Sequence, residues 1–240
     1  MKTIYRKETP LIVKQYGERY KITVCKYDIW DIKDGNNSRN VNELKLDSNI
    51  KRARSKVYEY AACNEWEYFA TLTLDAKKQN RYDLGEYIKD LGQFIRDERK
   101  RTGKSIKYLL IPEQHKNGAW HMHGYFSGIP SEDVTHNNNG YYHWQRYYER
   151  FGYCSLDHIK DKDKCDSYIV KYISKDLGGQ AIGKNKKLYY ASRGLNTATT
   201  LHQGYTSKRL TSPDWETDCV QILWCNSLEE ALNYISILSD

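Results

Sequence analysis

Apolar and polar positions along the chain change period several times, and each change marks an element. Residues 11–32, LIVKQYGERYKITVCKYDIWDI, alternate with a glycine between two runs, which predicts a hairpin. KDGNNSRN, 33–40, is a polar loop, and 41–60 is a basic connector whose pattern leaves a helix open. EYFATLTLD, 67–75, is rich in β-formers and predicts a strand. Over 83–100, Leu84, Tyr87, Ile88, Leu91, Phe94 and Ile95 fall at helical spacing behind Asp83, a suitable cap. IKYLLIPE, 106–113, predicts a strand stopped near Pro112, followed by the loop QHKNG and the strand AWHMHGYF. NNNG at 137–140 breaks the chain before a tyrosine-rich helix over 141–150. A short strand near 153–159, a helix over 161–177, a strand over 188–193 and a terminal helix in SLEEALNYISIL complete the pattern. Helices and strands interleave and 106–126 is a tight hairpin, so an α+β fold is expected, a central antiparallel sheet with flanking helices. Residues 1–60 then hold N-terminal strands and a basic connector, 61–200 the core, and 201–240 a C-terminal extension with its helix.

The strand AWHMHGYF carries the first candidate chemistry. Side chains alternate between faces of a strand, so His121 and His123 share one face and Trp120 and Met122 the other. Two imidazoles so spaced can reach one ion. If Gln114 to Gly118 form the loop, Ala119 lies opposite Glu113, and Glu113 joins the histidine face. If Asn117-Gly118 is a two-residue turn, Gln114 stands beside His121 instead. A carboxylate suits a divalent cation better, which favours His121, His123 and Glu113 with open positions for water or phosphate oxygens. His115 falls in the loop and is left out of the ligand set. A structural zinc site is disfavoured, because no cysteine lies near the histidines at ligand spacing.

The helix around DSYIVKYISKD carries the second. Tyr168 and Tyr172 are four residues apart and share a helix face, with Lys171 and Lys175 each three residues beyond a tyrosine. A phenol with a pKa of about 10 needs nearby positive charge or a metal to act as a nucleophile. Read alone, the segment is an amphipathic helix that docks Tyr168, Ile169, Tyr172 and Ile173 on the sheet. Beside a metal site it becomes the other half of a strand-transfer centre: an ion polarises a phosphate and a tyrosine attacks it.

Charge agrees with such a substrate. The net charge is +7, and the basic residues cluster at Lys51–Lys56, Arg96–Lys104 and Lys184–Lys187. Aromatic content is dominated by 22 Tyr and 6 Trp against 4 Phe, so much of it has a polar tip suited to a wet face. The six cysteines form no CxxC pair and read as reduced thiols of a cytosolic protein. MKTIYRKETP has no signal-peptide core, and no run of about 18 apolar residues could cross a membrane. GGQAIGKN, 178–185, is close to a P-loop, but Asn185 replaces the required Ser or Thr and a helix precedes it, so no ATPase is expected and unwinding falls to a separate helicase.

Taken in order, FATLTLD, the glutamate ahead of HMH, and YIVKYISK resemble the three motifs of the HUH endonucleases, and among them the rolling-circle replication initiators of small phages and plasmids. YYASRGLN is similar to segments that follow the tyrosine motif in phage initiators, and the likeness covers roughly 67–196. The resemblance implies an HUH core, a sheet related to RRM and ferredoxin-like folds with His-x-His on a central strand. It implies Mg²⁺ or Mn²⁺ held by His121, His123 and Glu113. It implies attack by Tyr172 or Tyr168 on single-stranded DNA at an origin hairpin or loop, leaving a 5′-phosphotyrosine and a 3′-hydroxyl for the host polymerase. YISKD is more similar to the single-tyrosine relatives, which makes Tyr172 the main nucleophile; Lys171 and Lys175 would position or neutralise the phosphate, and Thr71 and Thr73 would be supports. A bacterial cytoplasm is the implied setting. Two rivals are a non-catalytic single-stranded nucleic-acid-binding module with tyrosine platforms, and a transposase or relaxase using the same chemistry.

Overall fold

Alternation along the strands becomes alternation of faces in the computed structural model, which describes residues 8–26, 41–136, 140–173 and 187–239. The fold is α+β, with two antiparallel sheets among the described residues. It divides into two units, residues 40–196 and residues 1–39 with 197–240.

The central unit begins with α1 (Val41–Ala62), β3 (Tyr68–Thr73), α2 (Leu84–Thr102), β4 (Lys107–Gln114) and β5 (Trp120–Ser127). It continues through a 3₁₀ turn (Ser131–Asp133), β6 (Val134–His136), β7 (Tyr142–Trp144), α3 (Gln145–Arg150) and β8 (Cys154–His158). α4 (Lys162–Tyr168), a 3₁₀ turn (Ile169–Tyr172) and β9 (Tyr190–Ala191) complete it. The sheet order is β6-β7-β8-β3-β5-β4-β9, so β3 and β5 are at its centre.

One face of that sheet is apolar. Ala70 and Leu72 of β3 and Trp120, Met122 and Phe126 of β5 are buried with Leu84, Tyr87, Leu91, Phe94 and Ile95 of α2. Phe94 meets the Trp144 ring at 4.9 Å, and Trp144 meets Phe126 at 5.9 Å, which ties α2 to this side. Each fully buried side chain of this size contributes about 1.5–3 kcal/mol. α2 starts where expected: Asp83 accepts from the Glu86 backbone N–H at 3.0 Å. Gly103 closes it in the left-handed conformation at φ 68°, donating to the Arg99 carbonyl.

Several expectations need correction. The 41–60 connector is a long helix, and it packs on α4, the tyrosine turn and β4. β4 runs past Pro112 to Gln114. This is allowed because β9 pairs only with Leu109 and Leu110, leaving that side of Pro112 without a strand to receive an N–H. The tyrosine-rich helix begins only at Gln145, since Tyr142–Trp144 pair with β6 as β7. The helix over 161–177 is a helical turn that tightens into a 3₁₀ turn at Ile169 and ends at Tyr172, which places Ile169 and Ile173 in the core.

The other unit joins β1 (Thr9–Tyr16) and β2 (Arg19–Cys25) to β10 (Thr199–Thr206), β11 (Trp215–Glu216), β12 (Val220–Cys225) and α5 (Leu228–Ser239). Its sheet order is β10-β1-β2-β12-β11. Leu11, Val13, Ile22 and Val24 are buried with Leu223, Ala231 and Leu238, so the expected hairpin is the middle of a larger sheet. Cys25, Cys154, Cys219 and Cys225 carry free thiols. No helix among the described residues is long and apolar enough to cross a membrane.

Candidate functional site

The polar face of β3 and β5 carries the histidines. Thr71 pairs with His123 and Thr73 with His121 across the two strands. The pairing is chemical as well as geometric: Thr71 Oγ1 lies 3.2 Å from His123 Nδ1 and Thr73 Oγ1 3.0 Å from His121 Nδ1. Both rings are thereby held by Nδ1, and their Nε2 atoms are left for another partner. Burial pushes His121 down to about 4, with help from its neighbours His115 and His123. Burial also lowers His123, although Glu113 opposes it. Both rings are therefore neutral at neutral pH, the form in which imidazole binds a metal.

Glu113 stands directly opposite His121 in the β4–β5 register. Neither turn foreseen from the sequence is the one adopted. His115 and Ala119 close the hairpin through a bond of 2.9 Å, and Lys116–Gly118 form a three-residue loop with Gly118 at φ 85°. Glu113 keeps its face because this register differs from the five-residue one by two positions, an even shift. Gln114 pairs with Trp120 and turns its side chain to the Gly118 carbonyl, so it stands away from the histidine face. His115, left out of the ligand set, stacks on His121 with ring centroids 3.6 Å apart.

As they stand, no three of His, Cys, Asp or Glu among the described residues are arranged as a metal-holding group. His123 Nε2 and Glu113 Oε2 are 2.7 Å apart and spend their facing atoms on each other. Ligands at about 2.1 Å on perpendicular axes of one ion stand about 3.0 Å apart, so this pair is close to ligand spacing. The donor set fits a divalent ion: two neutral imidazoles oriented through Nδ1 and a half-exposed carboxylate beside them.

Tyr172 lies against the same histidine, its ring stacked on His123 at 4.2 Å. The Tyr168 and Tyr172 hydroxyls are 3.2 Å apart. Burial raises the Tyr172 phenol well above its usual range, and the Tyr168 hydrogen bond and Glu113 raise it further. Tyr172 is thus a neutral phenol here, and only added positive charge could favour its phenolate. Lys171 places Nζ 5.1 Å from the Tyr168 ring, so its cation faces the first tyrosine. Lys175 and the P-loop-like 178–185 lie outside the described residues.

Sequence reasoning missed two further parts. Phe69 supports the tyrosines, 5.5 Å from the Tyr168 ring and 6.1 Å from Tyr172. Its signal was present, because Phe69 precedes Thr71 and Thr73 on the same strand face. Arg54 of α1 donates through Nε to the Ile173 carbonyl at 2.8 Å and anchors the end of the tyrosine turn. Within a basic cluster nothing distinguishes this inward arginine from its solvated neighbours.

Comparison with known proteins gives no match among curated proteins or solved structures. Residues 67–177, the span from β3 through the tyrosine turn, do match one family model and place this part of the chain in a replication-associated protein family, the ORF2 family of the rolling-circle Rep type.

Proposed function

We propose that this chain initiates replication by nicking single-stranded DNA and later rejoining it, with Tyr172 as the attacking group. The observation that carries the reading is the stack of Tyr172 on His123, which sets a nucleophile against a neutral, oriented imidazole pair with a carboxylate beside it. Tyr172 Oη would attack the phosphorus, forming the O–P bond while the bond to the 3′-oxygen breaks. The electron pair leaves with that oxygen, which takes up a proton and becomes a 3′-hydroxyl. Tyr168 Oη, 3.2 Å away, is the nearest acceptor for the phenolic proton. Reversal by the 3′-hydroxyl rejoins the strand.

His121, His123 and Glu113 would hold Mg²⁺ or Mn²⁺, with His115 placed to replace a water. When bound, such an ion polarises the phosphate and supplies the positive charge that Tyr172 lacks. Thr71 and Thr73 would set the tautomer, each accepting Nδ1–H so that Nε2 keeps its lone pair. Host helicase and polymerase would supply unwinding and synthesis.

The test is a denaturing gel of protein mixed with a pool of labelled single-stranded oligonucleotides. A metal-dependent adduct above free protein is expected, and it should vanish with a chelator. Persistent binding without any adduct would leave the non-catalytic binding module as the better reading.

Two further results are expected. Thr73→Val, which keeps the shape and removes the hydroxyl, should raise the metal concentration for half-maximal adduct about 10–100-fold, with thermal stability little changed. His121→Ala should lose the reaction at ordinary metal concentrations. An unshifted metal titration in Thr73→Val would remove the orienting role. Affinity for single strands should fall steeply with salt, with a log–log slope of about −0.7 per phosphate contacted. A flat salt dependence, measured by anisotropy, would argue against a polyanionic substrate.

A further inference from the structure

A cleft of about 910 Å³ lies along α1, apart from the histidine face. Its charged lining comprises Arg52 and Lys56 from α1 and Lys187 and Arg193 from the segment around β9, with no carboxylate among the lining residues. Tyr60 and Tyr189 stand between these cations, ring centroids 6.3 Å apart and edge to face. Lys56 Nζ sits 4.8 Å from the Tyr60 ring, and its other partner is Glu59, at 2.7 Å. Arg52, Lys187 and Arg193 are exposed, while Lys56, Tyr60 and Tyr189 are half-buried.

Residues 52, 56 and 60 recur every four positions, so they form one stripe of the helix. Arg54, two positions from Arg52, projects from the opposite flank and holds the Ile173 carbonyl. α1 therefore has the tyrosine turn on one flank and the basic cleft on the other. Cations interleaved with partly exposed aromatic rings are what a single strand requires, phosphates meeting the charges and bases stacking on the rings. The volume is at the top of the range that holds one compact ligand, which leaves room for a short run of nucleotides.

We infer that this cleft binds a segment of the single-stranded DNA substrate away from the scissile phosphate, with Arg52, Lys56, Lys187 and Arg193 on its phosphates and Tyr60 and Tyr189 against its bases. This rests on the nicking reading for its substrate, but its contacts are separate from the chemistry. Strand held here is anchored beside α1 while another part reaches Tyr172.

The experiment measures anisotropy of labelled oligo(dT) of about 8 and 20 nucleotides on the full chain, with the adduct gel run in parallel. Arg52→Ala with Arg193→Ala should weaken binding of the longer strand at least 10-fold and flatten the salt slope by about 1.4, two phosphates at 0.7 each. Tyr189→Leu, which keeps apolar bulk, should weaken it several-fold. The rate of adduct formation at saturating DNA should be unchanged in both. Wild-type affinity and salt slope in the arginine pair would overturn the cleft. So would competition by thymidine monophosphate as effective as that by the longer strand, since the site would then take a free nucleotide. If the wild type forms no adduct while the arginine pair still loses binding, the nicking reading falls and the cleft stands. An adduct with unchanged binding in the arginine pair gives the converse.

Discussion

Tyr172→Phe combined with Tyr168→Phe is expected to abolish the covalent adduct, a loss of at least about 10³-fold, while DNA affinity and thermal stability stay close to wild type. Phenylalanine preserves the ring stack on His123 and the support from Phe69, so only the hydroxyls are lost. Those hydroxyls hydrogen-bond each other in a partly exposed position, and their joint removal leaves no orphaned partner between them. Tyr172→Phe alone should account for most of the loss, because Tyr172 is the ring in contact with the histidine. Tyr168→Phe alone should slow the step by removing the proton acceptor. An adduct that persists in the double variant would eliminate both tyrosines as nucleophiles and send the search to another residue.

The second large effect concerns stability. A methyl group on Gly124 would stand 1.9 Å from the Leu109 carbonyl oxygen and 2.9 Å from the Leu110 Cα, both backbone atoms. β5 is held on one side by β4 and on the other by β3, so neither neighbour can retreat without breaking pairing at the histidines. Gly124→Ala should therefore cost about 3 kcal/mol or more, a fall in Tm of about 10 °C for a unit of this size. Gly103→Ala is the control. Its φ of 68° strains any side chain, but nothing lies within 4 Å of the added methyl, so about 1 kcal/mol is expected. Equal losses in the two variants, measured by calorimetry, would show that the contact at Gly124 relaxes.

What could be read from the chain alone was whatever depends on local period. His121 and His123 share a face because strands repeat every two residues, and Tyr168 and Tyr172 meet because helices bring residues four apart together. Even the 3₁₀ tightening after Tyr168 leaves the hydroxyls within 3.2 Å. Glu113 was legible for a subtler reason: a face depends on the parity of the register, so the wrong loop length still chose the right side. Gln114 was the odd-shift alternative, and the adopted register turns it away. His115 and Phe69 needed knowledge of which strand neighbours which, and local pattern does not carry that. The same holds for β10 and β12, whose partners lie near the start of the chain. α1 was obscured because its apolar positions, Ile50, Ala53, Val57 and Ala61, are few and small between basic residues.

The pairing of β1 with β10 sets an order of events during synthesis. Thr9 pairs with Thr206, so β1 and β2 leave the ribosome long before the strands that flank them exist. β3, β4 and β5, by contrast, find one another within 60 residues of chain. On contact order the site-bearing sheet should form while translation is still under way, with the early hairpin waiting, both edges open, for the last strands to arrive. A ribosome stalled after residue 196 should therefore display a protease-resistant central sheet and a cleavable N-terminal hairpin.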